Sequence, residues 1–182
     1  CFATEPTDVL VFLLDDARFD QIAYFTETMA RLGPEAVTFE RAYVTTPLCC
    51  PERASFLSGG WYAHQTGVLT NESPTGGATR FLDTRSMPVR LQEVGYHTAL
   101  LGKYFNGYDE LGPYVPPGWS TWAATGDEGG WRNFDVLVGS TVPEGPGTAT
   151  TEHILGYVTD WHGERAIQTL TDAGDAPLFL YV

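Results

Sequence analysis

Continuous apolar runs alternate along the chain with stretches in which apolar side chains recur at helical spacing. Residues 9–14 read Val-Leu-Val-Phe-Leu-Leu, and such an unbroken run predicts a central parallel strand that is buried on both faces. Residues 20–32 predict a helix with Asp20 as its N-cap and Gly33 just beyond its end. The remaining pattern predicts strands at residues 37–44, 97–101, 134–138 and 178–182 and helices at residues 51–58, 88–94 and 159–173.

Strands that alternate with helices indicate an α/β layered fold with a largely parallel central sheet. With 182 residues, the chain has the length of one domain of ordinary size. Its last apolar stretch, residues 178–182, has the pattern of a buried strand, and no helix follows to cover that strand. We therefore expect the fold to be incomplete at the C-terminus.

The charge balance excludes some classes of partner. The chain has 10 Lys and Arg residues against 23 Asp and Glu residues, so its formal net charge is −13. This acidic balance argues against a nucleic-acid partner, because phosphate contacts need a basic face. No apolar run is long enough to form a transmembrane segment, and no signal peptide is visible at Cys1. Nine Arg residues beside a single Lys favour a GC-rich bacterial source.

Two adjacent carboxylates, Asp15 and Asp16, end the first predicted strand. Open α/β sheets bind their ligands at the carboxyl ends of strands, and two neighbouring carboxylates are costly there unless water or a cation neutralises them. The pair is therefore a candidate metal site. The alternative is an Asp pair that caps the following turn.

The segment 49–53 reads Cys-Cys-Pro-Glu-Arg and is predicted to enter a short helix. Unpaired N–H groups at a helix start favour an anion, and Arg53 lies one turn further along to add a positive charge. The alternative is a buried structural cysteine pair beside a solvated arginine.

Within residues 49–59, Cys-x-Pro-x-Arg is followed by Ala-Ser-Phe-Leu-Ser-Gly, which resembles the signature of the type I sulfatases. The double cysteine and the Gly-Lys-Tyr-x-Asn block are most similar to the N-acetylglucosamine-6-sulfatase and heparan-sulfatase branch. The resemblance implies an alkaline-phosphatase-like fold in which residues 1–182 are the N-terminal part of a single catalytic domain. Further blocks that resemble the family lie at residues 13–16, 38–43, 91–98, 102–108 and 117–119.

In this family a formylglycine-generating enzyme converts the first cysteine of the signature to formylglycine (3-oxoalanine). The resemblance therefore assigns the conversion to Cys49 and not to Cys50. One hydroxyl of the hydrated aldehyde attacks the sulfur of a sulfate monoester, and loss of a proton from the other hydroxyl expels sulfate. Arg53 is expected to orient the hydrated aldehyde, and Lys103 to contact both the aldehyde and the sulfate. The alternative for Lys103 is a solvated surface lysine.

The resemblance also implies a Ca²⁺ ion bound by Asp15, Asp16 and the converted Cys49, which would neutralise sulfate oxygens. His64, which matches a histidine after the signature in many relatives, and Asn106 are candidates for substrate binding. The expected substrate is a sulfated amino sugar, another glycan or an aryl sulfate.

Sulfatases that act on polymers work outside the cell, so a secreted or extracytoplasmic protein is expected. The N-terminal Cys1 is a candidate lipoprotein anchor.

The sequence departs from the family pattern in two ways. Glu52 stands where the family usually has serine, and an extra carboxylate is unfavourable near a sulfate pocket. The remaining metal ligands, a substrate histidine and a second lysine follow the family's counterpart of residues 178–182, beyond this chain. We therefore expect no turnover from these 182 residues alone.

Two alternatives stay open. One is a phosphonate or phosphodiester hydrolase of the same superfamily, which can share the cysteine signature. The other is a non-catalytic sulfatase-like binding protein whose Cys49 is never converted.

Overall fold

One mixed sheet of seven strands organises residues 6–126, 130–142 and 145–182, the part of the chain that the computed structural model describes. In spatial order the strands are β1-β7-β2-β4-β5-β6-β3. The first four are parallel to one another, and β5, β6 and β3 extend the sheet with antiparallel pairs. The strand bounds are β1 Val9–Val11, β2 His97–Lys103, β3 Tyr114–Val115, β4 Thr121–Thr125, β5 Arg132–Val142, β6 Gly145–Tyr157 and β7 Leu178–Tyr181.

Helices lie between these strands along the chain. The α-helices are α1 Thr26–Leu32, α2 Cys49–Leu57, α3 Ala63–Thr66, α4 Met87–Glu93 and α5 Val158–Asp172. Short 3₁₀ helices occupy Phe19–Tyr24, Ala78–Arg80, Asp83–Arg85 and Tyr108–Leu111. None of the helices in the described ranges has the length and apolar character needed to cross a membrane.

The core lies on both faces of the sheet. Successive side chains of a strand point to opposite faces. Leu100 of β2 accordingly belongs to the same buried cluster as Leu57 of α2, whereas Leu101 belongs to the cluster that contains Ala166 of α5. The parallel strands are thus covered by α2 on one face and α5 on the other. This arrangement confirms the predicted α/β layered fold with a largely parallel central sheet.

Three local predictions are wrong. The strand at residues 9–14 shortens to β1 and lies at the sheet edge, where Val9 and Leu10 are 42% and 41% exposed, because β7 and not β1 fills the place beside β2. Residues 37–44 form no strand, since they find no partner strand within the described part of the chain. The helix predicted to start at Asp20 is divided between the 3₁₀ helix and α1, and the Asp20 carboxylate pairs with Arg18 at 2.6 Å.

Candidate active site

The carboxyl ends of three parallel strands bring the candidate residues together. Strands β1, β7 and β2 run in the same direction, so their C-terminal ends share one edge of the sheet. Asp15 follows β1, Tyr181 ends β7 and Lys103 ends β2. The start of α2, with Cys49 as its first residue, lies at the same edge.

Asp15 joins the two basic residues of the site. Its Oδ2 lies 2.8 Å from the Lys103 Nζ, and its Oδ1 lies 3.2 Å from the Arg53 guanidinium. Burial acts to raise the pKa of Asp15, but the hydrogen bond and charge of Lys103, together with Arg53, outweigh burial and lower it. The pKa of Lys103 is raised, because its contacts with Asp15 outweigh its own desolvation. Asp15 and Lys103 are therefore both charged at neutral pH.

Arg53 is buried, with its side chain 4% exposed, and its guanidinium is held from several sides. Besides the Asp15 contact, it donates to the backbone oxygen of Lys103 at 2.7 Å and to the Tyr181 hydroxyl at 3.3 Å. The Tyr181 ring in turn stacks on Phe56 of α2, with 5.4 Å between ring centroids. These contacts fix the guanidinium relative to Lys103 and to the helix start.

We expect Tyr181→Phe to lower the free energy of unfolding by about 1 kcal/mol. The substitution removes one hydrogen-bond acceptor from the buried Arg53 guanidinium, which keeps its other acceptors. Urea denaturation measures this change. Tyr24→Phe is the matched control, since Tyr24 is 83% exposed. Equal losses in the two variants would contradict the role given to the Tyr181 hydroxyl.

Cys49 lies beside both candidate metal carboxylates. The Cys49 sulfur and one carboxylate oxygen each from Asp15 and Asp16 lie within 4.8 Å of one another. They open onto a cavity of about 210 Å³ that Glu52 and Arg53 also line. Burial raises the pKa of Glu52. The structure thus brings together the residues predicted to hold metal and to act on the substrate.

The two residues predicted to bind substrate lie elsewhere. His64 is exposed on α3 and does not line the 210 Å³ cavity. Asn106 packs beneath the helix start, where its Oδ1 lies 3.5 Å from the Cys50 sulfur. The assignment of both residues to substrate binding stays a prediction.

Sequence reasoning missed two residues near the site, Tyr181 and His162. His162 lines a second cavity of about 290 Å³ together with Asp15 and Lys103. Its Nε2 is buried without a hydrogen-bond partner in the described residues, and burial lowers the pKa of His162. Tyr181 lies in an apolar strand and His162 in an amphipathic helix, so neither position had a distinguishing pattern.

The fold and the site define an α/β protein with a carboxylate pair beside a cysteine at a helix start. The sulfatase family model matches residues 7–182, so the chain belongs to the sulfatase family. It is 33% identical over 141 residues to human N-acetylglucosamine-6-sulfatase, which covers 71% of this chain and 25% of that protein. It is 34% identical over 145 residues to the extracellular sulfatase SULF-1 homolog of Drosophila melanogaster, which covers 76% of this chain and 13% of that protein.

A solved structure confirms the fold. It is described as BT4656 in complex with its substrate D-glucosamine-2-N,6-O-disulfate, and it aligns with a TM-score of 0.77 at 22% identity. The alignment covers 97% of this chain and 34% of that chain. The chain thus spans about a third or less of the length of these similar proteins.

Proposed function

We propose that residues 1–182 form the N-terminal part of a single catalytic domain of a secreted sulfatase, which hydrolyses a sulfate monoester on an amino sugar or another glycan. Membership of the sulfatase family supports the reaction type, and the names of the relatives support an amino-sugar substrate and an extracellular location. The observation that carries the proposal is the convergence of the Cys49 sulfur with the Asp15 and Asp16 carboxylates within 4.8 Å.

The donor set at this convergence fits calcium in part. Ca²⁺ binds roughly six to eight oxygen ligands and prefers carboxylates, which Asp15 and Asp16 supply. A thiolate is a soft ligand and does not suit Ca²⁺, so residue 49 fits the ion only after its sulfur has been replaced by oxygen. When bound, the ion would supply positive charge against the sulfate oxygens. Calcium binding and the conversion of Cys49 are therefore proposed together.

The protein's own side chains supply positioning and charge. Conversion of Cys49 to formylglycine by a formylglycine-generating enzyme, followed by addition of water to the aldehyde, supplies a hydroxyl group that can attack the sulfur atom of the sulfate ester. Arg53 lies four residues after Cys49, on the same face of α2, and its buried guanidinium orients residue 49. The Lys103 ammonium lies 2.8 Å from the Asp15 carboxylate, and its side chain is 30% exposed, so it can offer positive charge to the incoming sulfate.

The first test is the mass of the tryptic peptide 42–53 after co-expression with a formylglycine-generating enzyme. Replacement of the Cys49 sulfur by an aldehyde oxygen supports the proposal. Two unmodified thiols would favour the non-catalytic binding protein. Hydrolysis of sulfate and phosphate esters by the full-length protein then separates a sulfatase from a phosphonate or phosphodiester hydrolase.

Glu52 is expected to weaken the binding of sulfate esters, because its carboxylate lines the same cavity as Arg53. Replacing it in Glu52→Gln should lower KM about fivefold, since two unit charges about 4 Å apart interact by about 1 kcal/mol when water screens them fully. Because burial raises the pKa of Glu52, the wild-type KM should also fall as the pH drops through that pKa. Kinetics at several pH values measure both effects.

The control is Glu164→Gln, which removes an exposed carboxylate of α5. Its KM should equal that of the wild type at every pH. A KM for Glu52→Gln that still varies with pH as the wild-type value does would show that another group is responsible.

A further inference from the structure

The second cysteine of the pair is held by two asparagines. Cys50 is fully buried, and the Asn71 side-chain oxygen accepts its backbone N–H at 2.9 Å. The Asn106 backbone N–H donates to the Cys50 sulfur at 3.2 Å. The Cys50 thiol can donate to the Asn106 Oδ1 at 3.5 Å or to the Asn71 backbone oxygen at 3.7 Å. We call Cys50, Asn71 and Asn106 together the clamp.

Asn71 satisfies a donor that the helix leaves without a partner. The first N–H groups of a helix need external acceptors, which the N-cap side chain often supplies. Here the N-cap is Leu48, which has no such acceptor, and Pro51 has no N–H. The Asn71 side chain, 21 residues further along the chain, takes this role for Cys50.

The clamp joins three segments of the site. Asn106 lies three residues after Lys103, and Cys50 follows Cys49 directly. The junction is tightly packed at Gly77, whose φ is +74°. A Cβ there would lie 3.1 Å from the Asn106 backbone oxygen and 3.2 Å from that of Asn71. A shift of the clamp would therefore displace Cys49 relative to Lys103.

We propose that Asn71 and Asn106 are positioning residues, which hold Cys50 and thereby fix the side chain of residue 49 relative to Lys103. The effect of this positioning on catalysis rests on the function proposed above. The protection of Cys50 by the clamp does not depend on that function. The assignment gives Asn106 a positioning role in place of the substrate contact expected from the sequence.

The structural test is the labelling of each cysteine by iodoacetamide in the intact, unconverted protein, resolved by peptide mass spectrometry. Wild-type Cys50 should label at least about tenfold more slowly than Cys49, because a buried thiol reacts only when the structure opens locally. Asn71→Leu, which removes the acceptor at similar volume, should speed Cys50 labelling about tenfold. Asn71→Asp keeps an acceptor oxygen and should restore the wild-type rate. Equal labelling of both cysteines in the wild type, or no change in Asn71→Leu, overturns the clamp.

Amide hydrogen exchange of the wild type provides a second measurement that needs no variant. The Cys50 N–H should exchange slowly, because Asn71 accepts it. The Cys49 N–H has no acceptor in the described part of the chain and should exchange fast. Fast exchange at Cys50 would contradict the bond to Asn71.

The catalytic test uses the full-length, converted enzyme. Asn71→Leu should lower kcat about tenfold and leave KM within about twofold, because a misplaced nucleophile affects the transition state more than substrate binding. Asn71→Asp should recover kcat. An unchanged kcat in Asn71→Leu refutes the positioning role. Absence of turnover in the wild type would instead count against the proposed function, while the labelling and exchange results still decide the clamp.

Discussion

Cys49→Ala is expected to lower the kcat of the full-length enzyme for a sulfate monoester by at least about 10³-fold, as loss of a catalytic nucleophile does in general. Cys49 is the only residue with a thiol or hydroxyl group among the described residues that line the 210 Å³ cavity. Asp15 and Asp16 are the neighbours of its sulfur, and their carboxylates are assigned to metal binding. Among the described residues of this cavity, no other side chain therefore offers a thiol or hydroxyl group that could replace it as nucleophile. Initial rates with a chromogenic sulfate ester measure the loss.

The control for this prediction is Ser140→Ala, which removes an exposed hydroxyl from β5 and should leave kcat unchanged. Thermal unfolding of Cys49→Ala should resemble that of the wild type, because the Cys49 side chain is only half-buried and no bond to its sulfur is described. If Cys49→Ala retained more than about a tenth of the wild-type kcat, residue 49 would not be the nucleophile.

Strong hydrophobic patterns predicted several of the elements that contact the core. Residues 97–101 and 178–182 became β2 and β7, which lie in the middle of the sheet with most of their side chains buried. The helix predicted at residues 159–173 became α5. For β2 and β7 the pattern matched the burial that tertiary structure imposes, because these strands have neighbours on both sides. In α5 only Ala166 and Thr169 are buried, so there the pattern predicted the helix but not which of its apolar side chains contact the core.

Strands with weak patterns were missed. The long strand β6, Gly145–Tyr157, is rich in Gly and Thr and mostly exposed, so its hydrophobic signal is low. Its stability comes from pairing with β5 over most of its length, a contact that only the tertiary structure reveals. Conversely, residues 37–44 had a favourable pattern but have no partner strand among the described residues. In both segments, the presence of a partner strand and not the local hydrophobic pattern therefore determined whether a strand formed.

The sequence predicted only part of the candidate active site, because only some of its residues follow a general rule of strand topology. Asp15, Asp16 and Lys103 follow strands, and the rule that parallel strands present their carboxyl ends at one edge placed them near each other. The contacts of Tyr181 and Asn71 depend on chain segments 128 and 21 residues away from their partners Arg53 and Cys50. Such hydrogen bonds leave no periodic signal in the sequence, so only the folded structure could assign them.

Asp15→Asn is expected to destabilise the protein more than Tyr181→Phe does, because it removes a charge from the buried Arg53 and not only a hydroxyl. Removing one partner of a fully buried ion pair costs about 3–5 kcal/mol, since the remaining charge stays buried without compensation. The Arg53 side chain is 4% exposed, but the Asp15 side chain is 37% exposed, so water screens the interaction in part. We therefore expect the free energy of unfolding to fall by about 2 kcal/mol in calcium-free solution, measured by urea denaturation.

Asp20→Asn is the matched control. Its carboxylate pairs with Arg18 at 2.6 Å, closer than Asp15 to Arg53, but both side chains are more than 60% exposed. Exposed ion pairs contribute about 0–1 kcal/mol, so the loss should be less than half of that for Asp15→Asn. If both variants lost the same free energy of unfolding, the burial of Arg53 would not determine how much Asp15→Asn destabilises the protein.

Calcium should separate the two roles of Asp15. A ligand that binds only the folded state raises stability, so Ca²⁺ should raise the Tm of the converted wild type and of Asp20→Asn, and EGTA should reverse the shift. In Asp15→Asn, an amide replaces one carboxylate of the proposed metal site, and the Tm shift should be lost. If the calcium-induced rise in Tm persists in Asp15→Asn, the ion binds without the Asp15 carboxylate. The role of Asp15 would then be only to neutralise Arg53 and Lys103.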